Sequence, residues 1–226
     1  MLGAIIVAAG SSQRMGFDKL LALLGDKPVL VHTIDAFERT ASVGEIILVG
    51  RADRLDEFQE LVRQNGFQKV RHIISGGEHR QDSVGAGLKR LAPDTTFVAV
   101  HDAARPLVTP DQIERVFELA RIHGGAALAE PIIDTLKRAD KNCVVTAGVA
   151  RENLYGMQTP QIFDRSLLDK AYAAVAARNL SITDEVSAFE LIGEKVVLLP
   201  DEEWNVKITY PRDLLLAEAV LARRSP

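Results

Sequence analysis

The sequence predicts an open, doubly wound α/β layer, and three observations carry that expectation. Short apolar runs alternate with longer segments of helical period; the runs are continuous rather than alternating in polarity, as strands covered by helices on both faces must be; and the beat repeats four times before it breaks. The units are AIIVAA (4–9) followed by a helix over 28–40, EIILVG (45–50) by 53–66, VRHIIS (70–75) by 79–92, and FVAVH (97–101) by 110–123. A closed barrel needs roughly 200 residues and eight such units, so four point to an open, mostly parallel sheet.

After the strand AALAEP (126–131), residues 132–155 show no helical stripe and carry a polar turn at Ala139 to Asn142, which predicts a protruding β-hairpin. A stretch this long without a place in the beat is usually functional or an interaction arm. Helical patterns resume at 164–178 and 184–192, followed by strands KVVLLP (195–200) and EWNVKIT (203–209) and a helix over 211–224. No repeat or linker divides the chain, so 1–226 reads as a single domain carrying 132–155 as an arm.

Of 226 residues, 47% are apolar and 26% charged, enough for a substantial core. Lysine and arginine total 27 against 31 acidic residues, a net charge of −4 that leaves no basic surplus for nucleic acid. The single cysteine, Cys143, allows no intramolecular disulfide and predicts a reducing, cytoplasmic setting; beside Val144 and Val145, with no local base, it reads as a buried small apolar residue. Within Met1 to Gln13 the apolar run covers only Ala4 to Ala9, which predicts neither a membrane span nor a signal peptide.

The first strand runs into AAGSSQRMG (8–16) and DKLL (18–21), so Ala8, Ala9 and Gly10 stand where a backbone turns sharply or approaches a ligand. The spacing is neither GxGxxG nor GxxxxGK[ST]. Arg14 and Lys19 flank the loop at the carboxyl edge of strand one, which suits a polyphosphate; an ordinary turn with surface cations remains the plain alternative. HDAARP (101–106) brings Asp102 and Arg105 to the same edge, as a hydroxyl or magnesium site or as a simple Asp–Arg surface pair. GGEHRQDSV (76–84) sets Gly77, Glu78 and Ser83 toward a base or phosphate, or forms a capped glycine turn. Period-2 alternation in EWNVKIT groups Trp204, Val206 and Ile208 on one face and aims Asn205, Lys207 and Thr209 away from the core. No HxH, HExxH or GxSxG spacing occurs, so no histidine is assigned to catalysis or to a protein-built metal site, and His101 reads as packed.

AAGSSQRMG with its following lysine resembles the signature of the sugar nucleotidyltransferase superfamily, whose fold is Rossmann-like. Taken in order with GGEHRQDSV, HDAARP, DTLKR (134–138), RENLYGMQTPQ (151–161), TDEVSA (183–188) and NVKIT (205–209), it resembles the 2-C-methyl-D-erythritol 4-phosphate cytidylyltransferase family of the non-mevalonate isoprenoid pathway, from the first strand to the last helix. The resemblance implies transfer of CMP from CTP to the polyol phosphate, with Mg2+ or another divalent cation held mainly by the CTP phosphates. It implies that Ala8, Ala9, Gly10, Gly77, Glu78, Ser83, Asp102 and Ala103 surround CTP, and that Arg14, Lys19 and Lys207 are catalytic. It places Asp102, Arg105, Thr135, Arg151, Thr159, Thr183 and Lys207 around the polyol phosphate, the arm crossing to a second subunit of a homodimer. The plain alternatives are a helix cap for Thr183 and an interface salt bridge to Glu152 or another carboxylate for Arg151. Glu78 stands where the family often has aspartate, and Lys19 follows Arg14 after a shortened loop. Ribitol 5-phosphate cytidylyltransferases share nearly every motif, DTLKR and RENL fitting the methylerythritol enzyme better; a nucleotide-binding module without turnover is the rival of another class.

Overall fold

In a computed structural model, which describes residues 1–10, 15–201 and 203–224, the chain runs as follows. β1 (Leu2–Ala8) leads to a small hairpin of β2 (Leu23–Leu24) and β3 (Lys27–Pro28), then α1 (Val29–Arg39), β4 (Val43–Gly50), α2 (Leu55–Gln64), β5 (Val70–Ser75), α3 (Arg80–Leu88), β6 (Phe97–Asp102), α4 (Pro110–His123) and β7 (Gly125–Pro131). The arm holds β8 (Leu136–Ala139) and β9 (Val145–Val149); β10 (Tyr155–Asp164), α5 (Arg165–Ala177), α6 (Glu185–Leu191), β11 (Val197–Pro200) and α7 (Pro211–Arg224) follow.

Among the described residues, seven strands form one open sheet in the order β11-β7-β10-β6-β1-β4-β5. β1 pairs in parallel with β4 and β6, β4 with β5, and β11 with β7, so four carboxyl ends, those of β1, β4, β5 and β6, finish at one edge. Alternate residues of β1 feed two cores: Leu2, Ala4, Ile6 and Ala8 pack beneath α1, α4 and α7, while Ile5 packs against α3 and α5 on the other face. Among the described residues no helix is long and apolar enough to cross a membrane.

The best-marked elements match their sequence expectations closely. α4 opens on Thr109, whose side chain accepts from the Gln112 amide, has Pro110 in its first turn, and ends at Gly124 with φ 81°, so start and stop are both written in residue type. α3 ends at Leu88, short of the expected residue 92, which Pro93 disfavours as a helical position.

Three expectations are corrected. β10 reads as no strand in the sequence, yet it is ten residues long and lies antiparallel between β6 and β7. Its register slips between Met157 and Gln161, which lets Pro160 sit off the ladder, and it is the one antiparallel strand of this sheet. Residues 203–209 are no strand: Ile208 N–H donates to the Ala104 carbonyl at 2.8 Å, but Asn205 is buried and Trp204 exposed, against the expected alternation. Cys143 is exposed at the tip of the arm with φ 62°, where the chain turns between Asp140 and Val144. The arm itself is present as expected, β8 pairing with β9 from Leu136–Val149 to Ala139–Val145 apart from the main sheet.

The contact of α3 with β1 depends on a missing side chain: a Cβ on Gly87 would stand 2.7 Å from Ile5 Cγ2, whereas one on Gly85 would meet nothing nearer than 3.9 Å. Gly87→Val is expected to lower the unfolding free energy by about 1–3 kcal/mol through overpacking, and Gly85→Ala to raise it by about 0.5–1 kcal/mol through helix propensity. Urea titrations of both variants check the pair; a neutral Gly87→Val contradicts the packing.

Candidate active site

The strand ends surround a cleft of about 200 Å³. Ala8, Ala9 and Gly10 line it from the end of β1, Gly77 and Glu78 from the β5–α3 turn, Ser83 from α3, Asp102 from the end of β6, and Lys19 and Lys207 complete the lining. Close packing draws the turns together: a Cβ on Gly76 would lie 2.7 Å from Ala9 Cβ and 2.5 Å from Ser83 Oγ, and one on Gly77 2.4 Å from Asp82 Cβ. The Ser83 hydroxyl accepts from Gly77 N–H at 3.2 Å and donates to the His79 carbonyl at 3.3 Å, so it secures the turn from within.

Asp102 receives a cation on each oxygen. Arg80 Nε donates to Oδ1 at 3.2 Å and Lys207 Nζ to Oδ2 at 2.5 Å. Burial pushes the Asp102 carboxyl up, but Arg80, Lys207 and Arg105 together outweigh it and hold the group well below the usual carboxylate range. It is therefore ionised at any working pH. Behind it, Arg80 Nη1 donates to both oxygens of Glu185 at 2.8 Å, and Tyr172 Oη donates to Oε1 at 2.9 Å. Burial pushes the Glu185 carboxyl up despite Arg80 and Tyr172, and burial with the Glu185 charge raises the Tyr172 phenol. Lys19 Nζ donates to the Ile208 carbonyl at 2.8 Å, tying the β1 turn to the segment that carries Lys207.

A buried polar network backs the cleft. The Thr159 hydroxyl of β10 accepts from Asp102 N–H at 3.1 Å and donates to His101 Nδ1 at 3.0 Å, and His101 Nε2 donates to the Arg105 carbonyl at 3.2 Å. Arg105 Nη1 donates to the Asn205 carbonyl at 2.7 Å, and Asn205 Nδ2 donates to Gln158 Oε1 at 3.0 Å and the Thr159 carbonyl at 2.8 Å. These bonds hold 205–208 in an extended path without a strand ladder, which is how Lys207 is aimed.

Of the residues singled out in the sequence, Ala8, Ala9, Gly10, Lys19, Gly77, Glu78, Ser83, Asp102 and Lys207 come together around the cleft. Arg105 and Thr159 stand directly behind it; Asp102 pairs with Arg80 and Lys207, not in an Asp–Arg surface pair with Arg105. Ala103 does not line the cleft: it is fully buried, its N–H donating to the Val7 carbonyl at 3.0 Å and its carbonyl accepting from Thr33 Oγ1 at 2.8 Å. Thr135 and Arg151 are exposed on the arm, away from this chain's own cleft, and Arg151 bonds the Ile133 carbonyl instead of Glu152. Thr183 does not cap α6; Asp184 does, accepting from Ser187 N–H at 3.0 Å, with Thr183 Oγ1 3.4 Å from Ser187 Oγ. Arg14 lies outside the described residues. Sequence reasoning did not single out Arg80, Glu185 or Asn205, although all three fall inside the motifs GGEHRQDSV, TDEVSA and NVKIT.

Among the described residues no three His, Cys, Asp or Glu side chains converge to hold a metal. The acidic oxygens in the cleft are those of Asp102 and Glu78. Two carboxylates, one of them already paired on both oxygens, do not make a protein-built metal site, and they fit a magnesium ion that would be held mainly by phosphate oxygens.

Comparison with known proteins decides what kind of cleft this is. The family model described as 2-C-methyl-D-erythritol 4-phosphate cytidylyltransferase matches residues 2–223. The chain belongs to this family. A relative of that name from Dehalococcoides mccartyi (strain CBDB1) is 41% identical over 223 residues, covering 98% of this chain and 96% of the relative. The solved 4-diphosphocytidyl-2C-methyl-D-erythritol synthase of Anaerococcus prevotii superposes with a TM-score of 0.86 at 32% identity, covering 99% of this chain and 96% of that one. The cytidylyltransferase of Thermus thermophilus superposes with a TM-score of 0.77 at 29% identity, over 97% and 98% of the two chains. Family membership fits an open α/β layer whose cleft collects cations around a glycine turn.

The buried histidine supplies a pH test of the network. Burial pushes His101 from its ordinary 6.5 down to about 3, so it is neutral in the folded protein. Between those values the unfolded chain binds the extra proton, hence stability is full above pH 6.5 and falls as pH drops toward 3. His101 alone is expected to cost about 2 kcal/mol between pH 7 and pH 5. Urea titrations at the two pH values should show a loss smaller by about that amount in His101→Gln; equal losses contradict a neutral buried imidazole.

Proposed function

We propose that the cleft transfers a cytidylyl group from CTP to 2-C-methyl-D-erythritol 4-phosphate, and that Lys207 is the side chain nearest the charge that builds on the α-phosphorus. The observation that carries the assignment is the placement of Lys207 on Asp102 at the carboxyl edge, beside Lys19 of the β1 turn, whose Nζ reaches the neighbouring Ile208 carbonyl. A phosphate oxygen of the polyol phosphate attacks the α-phosphorus in line; the bond to the β-phosphate oxygen breaks, pyrophosphate leaves with the electron pair, and 4-diphosphocytidyl-2-C-methyl-D-erythritol forms. The attacking oxygen is already anionic, so no general base is needed, in keeping with a buried, neutral His101. The barrier lies in bringing two anions together and stabilising an overcharged phosphorus, which cations and positioning supply.

Lys19, with Arg14, holds the β- and γ-phosphates beside the N–H groups of Ala9 and Gly10. Gly77 and Glu78 offer backbone groups to the cytosine edge while Ser83 keeps their turn closed. Asp102 orients Lys207; a magnesium ion would be held mainly by the CTP phosphates, with Asp102 the nearest carboxylate, and would neutralise part of the triphosphate charge. Arg105 and Thr159 act through the backbone of Asn205 and Asp102. Thr135 and Arg151 serve the polyol phosphate in the cleft of a partner subunit, next to Thr183; the exposure of Ile133, Val144 and Val145 on the arm supports a homodimer that covers them. The single cysteine supports a reducing, cytoplasmic setting.

Pyrophosphate release from CTP and magnesium, with 2-C-methyl-D-erythritol 4-phosphate and ribitol 5-phosphate offered in parallel, tests the assignment. The methylerythritol substrate is expected to be strongly preferred, and Lys207→Ala to lower the rate on the order of 10² to 10³. Preference for ribitol phosphate contradicts the acceptor, and near-parental turnover in Lys207→Ala contradicts the lysine's role.

A further inference from the structure

Glu185 takes no part in the steps above, yet it is a charged side chain with no exposure to solvent. Its two oxygens accept from Arg80 Nη1 at 2.8 Å, one also from Tyr172 Oη at 2.9 Å, and its backbone N–H donates to Gln161 Oε1 at 3.2 Å. A buried ion pair is seldom more stable than apolar side chains of similar volume, so stability alone is a weak reason for this one.

The geometry gives a better reason. Arg80 bridges two carboxylates, Nη1 to Glu185 and Nε to Oδ1 of Asp102, while Oδ2 of Asp102 is left to Lys207. A guanidinium prefers to meet a carboxylate with two parallel N–H bonds. Released from Glu185, Arg80 can turn its fork onto Asp102, occupy both oxygens and displace Lys207. We propose that Glu185 is a positioning residue for Lys207: by holding Arg80 it confines that side chain to Oδ1 of Asp102 and reserves Oδ2 for the lysine. The proposal rests on the reading that Lys207 acts at the α-phosphate, and it makes an alternating chain, Glu185, Arg80, Asp102, Lys207, the device that aims the cation.

The test is pyrophosphate release per folded molecule, with the folded fraction taken from thermal melts, in Glu185→Gln, in Glu185→Gln combined with Arg80→Met, and in Lys207→Ala. Glu185→Gln is expected to lower kcat about tenfold, the cost of misaligning one transition-state cation, with KM for CTP changed less than about twofold. Removing the competing guanidinium in the double variant is expected to restore kcat at least threefold relative to Glu185→Gln, a rescue that a purely structural role does not produce. If Glu185→Gln fails to fold, Glu185→Asp keeps the charge but shortens the reach, and the same kcat loss at steady KM is expected. Parental kcat in the Glu185 variant, or a double variant no faster than the single one, overturns the proposal. Full turnover in Lys207→Ala would instead overturn the reading on which it rests, so the two failures are told apart.

Discussion

The cations of the cleft that come from α3 and from the 205–208 segment meet at the carboxylate of Asp102. It is the last residue of β6, near the middle of the sheet, and its side chain is only 13% exposed, so the ion pairs with Arg80 and Lys207 are screened far less than pairs on an open surface. Arg80 comes from the helix after β5 and Lys207 from an irregular segment near the end of the chain, and a single charge fixes both. The cost of burying that charge is met by its two cations and by the arginine behind it.

The backing network does for the irregular segment what a ladder does for a strand. Residues 205–208 have few backbone bonds to the sheet, so side chains replace them: Arg105 and Asn205 each reach a backbone carbonyl, and Lys19 reaches that of Ile208. β10 makes this possible. Running against its neighbours and slipping register at Thr159 and Pro160, it presents Gln158, Thr159 and Gln161 inward as bonding groups rather than as apolar filler. Buried polar side chains of this kind specify one arrangement because each would be costly if left unpaired.

The same facts explain which parts of the molecule were legible in its sequence. β1 and β4 stood out because burial on both faces makes them continuous apolar runs, and α4 because Thr109, Pro110 and Gly124 mark its ends. β10 was hidden because its buried stretch begins with Gln158, Thr159, Pro160 and Gln161, the usual marks of a loop, and only Ile162 and Phe163 after them are apolar. Asn205 was placed on the wrong side because period-2 alternation holds only for a chain paired in a sheet. Lys207 and Asp102 were found through their motifs, but Arg80 and Glu185 were not, since arginine and glutamate on helices are ordinarily solvated, and here Glu185 is buried and Arg80 half-buried because they meet across 105 residues of chain.

The central claim is that the charge on Asp102, and not merely its shape, organises the cations. Asp102→Asn keeps the size and one acceptor oxygen while removing the charge. Turnover of CTP with 2-C-methyl-D-erythritol 4-phosphate by this variant, measured on protein with the parental circular dichroism spectrum, is predicted to fall on the order of 10²-fold. Turnover within twofold of the parent would contradict the account.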